Sequence, residues 1–188
     1  MPTSASEPIP ARYTTRESPA GPLLVAVSDL GICAISWLRP HPLEGTLESL
    51  AARGYAPVED VADPALRRWT DQLDTYFAGE RREFAGEIDL RGTSAFTERA
   101  LRGILVIRWG ETRTYGQVAA GIGVPGGTQA VGNAMGRNPI PVAVPCHRVI
   151  RTGGEMGHYT GGAAIKHALL AIEGVRFDTH PGQLRLLP

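Results

Sequence analysis

The sequence predicts an α+β chain, with strands and covering helices in its first half and a mainly helical second half. Three observations carry that expectation. Two apolar runs, Leu23–Val27 and Ile32–Trp37, flank the turn residues Ser28, Asp29, Leu30 and Gly31, the pattern of a β-hairpin. Asp63-Pro64 then opens a stretch in which Leu66, Trp69, Leu73, Tyr76 and Phe77 recur at helical spacing. Beyond Gly92 the chain turns basic and reads as a succession of helices.

Each element has a local reason. Residues 1–10, MPTSASEPIP, are rich in Pro and Ser and read as a loose tail. Cys33, inside the second hairpin strand, reads as a packed and inert thiol. HPLEGTLESLAARG is a short amphipathic helix closed by Gly54. In DPALRRWTDQLDTYFAG, Asp63 suits the N-cap, where its oxygen can accept an orphaned N–H. Pro64 suits the first helical position because it has no N–H to leave unpaired, and Gly79 ends the run. EFAGEIDLRG reads as a strand followed by a turn. The organisation is thus a tail over 1–10, an N-terminal α/β domain over 11–91 and a C-terminal domain over 92–188.

In the second half, TSAFTERALRGILVIRWG reads as a helix of about four turns, with Phe96, Ala100, Leu101, Ile104 and Leu105 on its apolar face. TYGQVAAGIG is a second, short helix, and GGTQAVGNAMGRN a third, capped near Thr128. Two short helices joined by a Gly/Pro turn resemble a helix-turn-helix, although many helical hairpins bind no DNA. Ala130, Val131, Gly132, Ala134 and Gly136 leave the third helix little bulk. That suits tight helix packing and close approach to a phosphate or groove equally well. Asn138-Pro139 signals a turn, RTGGEMGHYTGG a Gly-rich loop, AAIKHALLAIEG a last helix, and 178–188 a loosely held tail.

Composition bounds the function. The 188 residues are 43% hydrophobic, with 19 basic and 19 acidic side chains, as in a soluble globular protein. Taken whole, zero net charge argues against a strong nucleic-acid binder. The charge is uneven, however: residues 1–90 carry 14 acidic and 8 basic side chains, and residues 91–151 carry 2 and 8. A basic middle attracts phosphates whatever the rest of the molecule does. Two cysteines allow no disulfide framework, and no C-x-x-C or H-E-x-x-H spacing offers a metal cage, so no metal is expected. No run reaches the ~18 apolar residues of a membrane span, and no signal peptide is evident. A reducing cytoplasm, where a thiolate persists, is the expected location.

Cys146, in PCHRVI, is the residue with chemical promise. A free thiol has a pKa near ~8.5, so little is thiolate at neutral pH without help. His147 could act as base, but adjacent side chains point apart in a strand and do not face each other on a helix. A water between them, or a tight turn, would solve the geometry, and a carboxylate behind the imidazole would hold its tautomer. Only Glu155, Glu173 and Asp178 follow the cysteine, and Glu173 in the last helix is the candidate. A buried structural cysteine and a Cys–His–Glu relay both fit the residues.

NAMGRNPIPVAVPCHRVI and HYTGGAAIKHALLAIEG resemble the O6-alkylguanine-DNA alkyltransferase family, whose active-site signature is matched by Pro145, Cys146, His147, Arg148 and Val149. The similarity is specific over about residues 92–174, and YFAGERREF with DLRGT resembles the family's interdomain segment. The resemblance implies a ribonuclease H-like first domain and a winged helix-turn-helix-like second one. It implies direct repair of DNA: one irreversible transfer of an alkyl group, mainly methyl, from O6-alkylguanine to Cys146, without a cofactor.

The site follows by the same resemblance. Cys146, His147 and Glu173 form the thiolate-generating network through a water, and Tyr115 donates a proton to the leaving base. Asn138 is the hinge between recognition helix and active site. Val149 reads the base through its backbone, Tyr159 and Thr160 belong to the binding loop, and Met135 and Lys166 line the substrate pocket. Thr128, Gln129, Ala130, Gly132, Arg137, Arg148 and Tyr115 meet DNA. The nucleotide must leave the stack, at a cost of a few kcal/mol, and in this family a recognition-helix arginine fills the gap. This chain has Thr128-Gln129-Ala130-Val131 where the family has Ala/Ser-Arg-Ala-Val, so the finger is Gln129 and weaker extrusion is expected. His158 also stands where Asn or Gly is common. The expected partner is double-stranded DNA containing O6-alkylguanine, with a monomer in solution, cooperative assembly on DNA and no membrane. A non-catalytic lesion-binding protein is the alternative, against which the retained cysteine counts. A Cys–His hydrolase would further need an oxyanion hole and many turnovers.

Overall fold

Strands β1 (Ile9–Arg16), β2 (Leu23–Val27) and β3 (Ile32–Trp37) form an antiparallel meander in the computed structural model, which describes residues 7–39, 41–178 and 185–186. Thr14 lies opposite Val25, and Val25 opposite Ile35. Helix α1 (Leu43–Ala52) then crosses over to β4 (Tyr55–Glu59), which pairs in parallel with β1, giving the sheet order β3-β2-β1-β4.

Every residue of β2 is buried, because both faces of the sheet are covered. Leu24, Ala26 and Cys33 face one cluster with Leu50 of α1 and Tyr55. Leu23, Val25 and Trp37 face another with Leu66, Trp69 and Tyr76 of α2 (Pro64–Phe77). Two-sided burial is why the hairpin runs are continuously apolar rather than alternating. Asp63 caps α2 as expected, its carboxylate accepting from Leu66 N at 2.9 Å.

The outer edge of β3 is not left open. Ile32 N donates to Glu87 O at 3.0 Å, Asp89 N donates to Ile32 O at 2.8 Å, and Ile35 N donates to Pro139 O at 2.9 Å. The last bond joins the first domain to the turn that precedes Cys146. Gly31, at φ +140, permits the approach of Glu87, whose carbonyl oxygen would lie 2.1 Å from any added Cβ.

The second domain contains α3 (Ala95–Ile104), β5 (Arg113–Thr114), α4 (Tyr115–Gly121), α5 (Thr128–Gly136), β6 (Val149–Ile150) and α6 (Ala163–Ile172). Helix α5 packs on α3 and α4. The short parallel pair β5–β6 sets Arg113 against Val149, which brings the start of α4 beside the Cys146 loop. Trp37 and Tyr76 share one apolar cluster with Leu101, Ile104, Val131 and Leu169, so the two domains are built around a common core.

Several expectations are corrected. Strand β1 begins at Ile9, inside the stretch expected to be a tail, while residues 1–6 lie outside the described residues. EFAGEIDLRG makes only a single bridge, Ile32 to Ile88, because Gly86 at φ +132 turns the chain against the Trp69 ring. Helix α3 stops at Ile104, closed by Leu105 N and Ile107 N bonding back three residues, and Leu105 is exposed rather than on the apolar face. Thr128 is the first helical residue of α5, and Gly127 stands at its N-cap without a side-chain bond. A capping box formed by Thr114 and Gln117 starts α4 instead. In the expected terminal tail, β7 (Phe177–Asp178) pairs antiparallel with β8 (Arg185–Leu186), and 179–184 and 187–188 lie outside the described residues.

Candidate active site

Helix α5 ends at Gly136, and Asn138 closes the turn that follows. Its Oδ1 accepts from Ile140 N at 3.0 Å, and its Nδ2 donates to Val144 O at 2.8 Å and to Cys146 Sγ at 3.0 Å. One buried side chain therefore both shapes the turn and touches the sulfur. Within the turn Val142 sits at φ 75, a conformation costly for a β-branched residue and tolerated only where the surroundings enforce it.

Cys146–Arg148 form one 3-10 turn. With three residues per turn, adjacent side chains diverge. Cys146 Sγ meets Asn138, whereas His147 and Arg148 both reach Glu173. Glu173 caps the C-terminus of α6, where the helix dipole disfavours a carboxylate. Donors offset that cost. Oε1 accepts from the Tyr76 hydroxyl at 2.8 Å, and Arg148 Nη2 donates to it at 2.9 Å. His147 Nε2 lies 2.8 Å from the same oxygen. Oε2 accepts from Arg148 Nε at 2.9 Å and from Gly110 N at 3.4 Å. Burial alone would raise this carboxyl, but the bonds and charges of His147 and Arg148 hold it down to about 2.

An ionised Glu173 assigns the imidazole proton to Nε2. Nδ1 is then an acceptor, and among the described residues it is buried without a hydrogen-bond partner. Burial holds His147 below its ordinary 6.5 in spite of Glu173, with the Arg148 and Lys166 cations acting in the same direction as burial. The ring is thus neutral and able to take a proton. The Cys146 thiol is 3% exposed, and burial pushes it up to about 11 against the Asn138 bond and the Lys166 charge.

Lys166 is fully buried, its ammonium donating to Val149 O at 2.6 Å and to Met156 O. Burial lowers it to about 8. Tyr115 opens α4, and its hydroxyl donates to His158 O at 3.4 Å. Burial first, then the neighbouring Cys146, raise its pKa, so it stays a protonated donor.

The other expected site residues fall into two groups. Thr128, Gln129, Ala130 and Arg137 are exposed along α5, with Gly132 half-buried beside Tyr115. Gln129 Nε2 donates to Asn133 Oδ1 at 3.3 Å. Thr160 is exposed and donates to Gly136 O at 3.3 Å. Met135 and Tyr159 are buried, and among the described residues the Tyr159 hydroxyl has no partner. Val149 N donates to Cys146 O, and its carbonyl accepts from Lys166.

Arg148 is corrected. It was expected to meet DNA, but it is buried, with Nε and Nη2 on Glu173 and Nη1 on Ile107 O at 2.6 Å. Its role is to hold the carboxylate. Tyr76 was missed, because helical spacing places it on the core face of α2 and carries no sign of where its hydroxyl goes. Among the described residues, no group of three or more His, Cys, Asp or Glu could hold a metal, and no helix is long and apolar enough to cross a membrane.

Fold and site together define a two-domain protein with a buried thiol held by Asn138, a Glu173-bound imidazole next in the chain, and an exposed run of small residues on α5. The family profile described as 6-O-methylguanine DNA methyltransferase, ribonuclease-like domain, matches residues 11–90, and the DNA binding domain of the same family matches residues 95–175. The chain belongs to this family. The Mycobacterium tuberculosis methylated-DNA–protein-cysteine methyltransferase is 40% identical over 174 residues, covering 87% of this chain and 93% of the relative. That of Methanosarcina acetivorans is 37% identical over 162 residues, covering 86% and 97%. The crystal structure of the M. tuberculosis O6-methylguanine methyltransferase superposes with a TM-score of 0.74 at 38% identity, over 90% of this chain and 96% of that one. The same protein in complex with DNA gives 0.72 at 39% identity, over 87% and 93%.

Proposed function

We propose that this protein repairs O6-alkylguanine in double-stranded DNA by moving the alkyl group, mainly methyl, onto Cys146, once per molecule. The observation that carries the reading is the buried thiol beside a neutral imidazole whose Nε2 is committed to Glu173. In the step, a water passes the Cys146 proton to His147 Nδ1 as sulfur attacks the alkyl carbon. The C–O6 bond breaks and its electron pair passes to the base. Tyr115 protonates the base and is reprotonated by way of His147. The product thioether has no leaving group that water can displace readily, so the protein is spent.

The exposed face of α5 suits a groove contact, because Ala130, Gly132 and Gly136 let backbone come close. Gln129 stands where it can enter the stack vacated by the flipped nucleotide, and Arg137 can meet a phosphate. Tyr159 and Thr160 border the base pocket, with Met135 and Lys166 beneath it. The protein acts as a cytoplasmic monomer.

Intact-mass analysis and peptide mapping, after incubation with an O6-methylguanine duplex and separately with free O6-benzylguanine, test the reading. One alkyl group on Cys146 from both is expected. Label from the free base only would locate a defect in DNA engagement. No adduct from either would overturn the mechanism, and lesion binding without transfer would take its place.

A further inference from the structure

We propose that Tyr76, from the first domain, is a positioning residue for alkyl transfer that holds the carboxylate orienting His147. The inference rests on the reading of Cys146, His147 and Glu173 given above, and it extends the site across the domain boundary.

The geometry is specific. The Tyr76 hydroxyl donates to Glu173 Oε1 at 2.8 Å, the oxygen that also faces His147 Nε2, and it lies 3.4 Å from that nitrogen. The two partners are 97 positions apart in the chain. Tyr76 is fully buried, with ring centroids of Phe77, Phe84 and Trp109 at 5.5, 5.4 and 5.4 Å. A phenol clamped on three sides can hold its donor in one place. Burial, followed by the Glu173 charge, raises its pKa well above the ordinary value, so it remains a donor.

A neutral donor on Oε1 has two effects. It fixes where that oxygen sits while Arg148 fixes the plane of the carboxylate through Nε and Nη2. It also draws charge from the oxygen facing His147, which weakens the carboxylate's hold on an imidazolium. The groups facing His147 set the balance: Glu173 at the end of α6 and Lys166 within it, Arg148 on its own turn, and Tyr76 from α2. Removing the hydroxyl leaves more charge directed at the ring. His147 then holds a proton to higher pH and is less available as the thiol's base.

The test is single-turnover methyl transfer from an O6-methylguanine duplex between about pH 5.5 and 9, with the wild type, Tyr76→Phe and Trp69→Phe. Trp69 lies on the same helix, stacked on the Phe84 ring that packs against Tyr76, so its variant disturbs the packing around Tyr76 while keeping the hydroxyl. Nitrogen-15 NMR titration of His147 supplies a readout independent of DNA. For Tyr76→Phe we expect transfer about tenfold slower, with the acid limb and the His147 titration both moved up by about half a pH unit. Trp69→Phe should lower the unfolding temperature and leave both pH profiles in place. An unchanged profile and titration in Tyr76→Phe would overturn the proposal. Equal movement in Trp69→Phe would do the same, by showing that packing is responsible. If the wild type transfers no methyl group, the reading of function fails, while the His147 titration still decides whether Tyr76 acts on the ring.

Discussion

Cys33 and Cys146 are both buried, and burial raises both thiols, to about 12 and about 11. Their surroundings differ in kind. Cys33 lies among Ala11, Tyr13, Leu24 and Leu50, and the nearby Arg53 guanidinium bonds its carbonyl oxygen at 2.7 Å, not its sulfur. Cys146 has an amide donor on sulfur and a buried ammonium in range, and the residue after it is an imidazole bound to Glu173. Burial alone therefore does not separate a packed thiol from a nucleophile. The difference between these two sites lies in the polar groups aimed at the sulfur.

The largest test of that contrast exchanges each sulfur for oxygen. Cys146→Ser should lose all alkyl transfer by intact mass, because a hydroxyl at this site is a far weaker nucleophile. Cys33→Ser should keep one alkyl group per protein. It should instead lose about 1–3 kcal/mol of stability in urea unfolding, from a buried hydroxyl without a partner.

Removing the feature that Cys146 has and Cys33 lacks comes next. Glu173→Gln should slow single-turnover transfer by about 100-fold or more, as expected for loss of an oriented general base. Leaving Arg148 buried without its carboxylate should also cost about 3–5 kcal/mol. Cys33 reactivity in the folded protein should not change.

Acid sharpens the comparison through stability. His147 is held below its ordinary 6.5, so the folded state prefers the neutral ring, and stability is lost as pH falls below 6.5, where the unfolded chain takes up the proton first. Glu173, held at about 2 against an ordinary 4.5, adds stability that is complete above 4.5 and disappears between 4.5 and 2. The Glu173 contribution is about 3 kcal/mol. Asp89, near Cys33 and also held at about 2, titrates only in the lower window. Urea unfolding should weaken between pH 6.5 and 4.5 in the wild type, and less so in a His147→Gln variant.

The smallest effect should leave both thiols alone and alter only delivery of the base. Gln129→Arg should speed repair of the methylated duplex by about tenfold, through a charged filler of the vacated stack. It should leave reaction with free O6-benzylguanine unchanged. Equal rates on the duplex would remove Gln129 from the extrusion step.

Legibility in the sequence followed the range of the forces involved. The hairpin Leu23–Val27 and Ile32–Trp37 and the capped helix Pro64–Phe77 were readable because their signals are local and repeated. Strand β1 was not, since IPARYTTR shows only Ala11 and Tyr13 to the core and carries a proline. Strand β4, YAPVE, has Pro57 and exists as an edge by pairing with β1. In the site, Cys146, His147 and Glu173 could be read from residue type and a family resemblance. The inward turn of Arg148 and the reach of the Tyr76 hydroxyl could not, because each depends on a partner far along the chain.

That long reach bears on biosynthesis. The polar chain around His147 begins at Tyr76 and is completed at Glu173, so a polypeptide cut short between His147 and Glu173 holds the thiol without its carboxylate. Such a fragment lacks the group that assigns the imidazole tautomer. Fragment and finished protein thus differ in the polar surroundings of the thiol as well as in length.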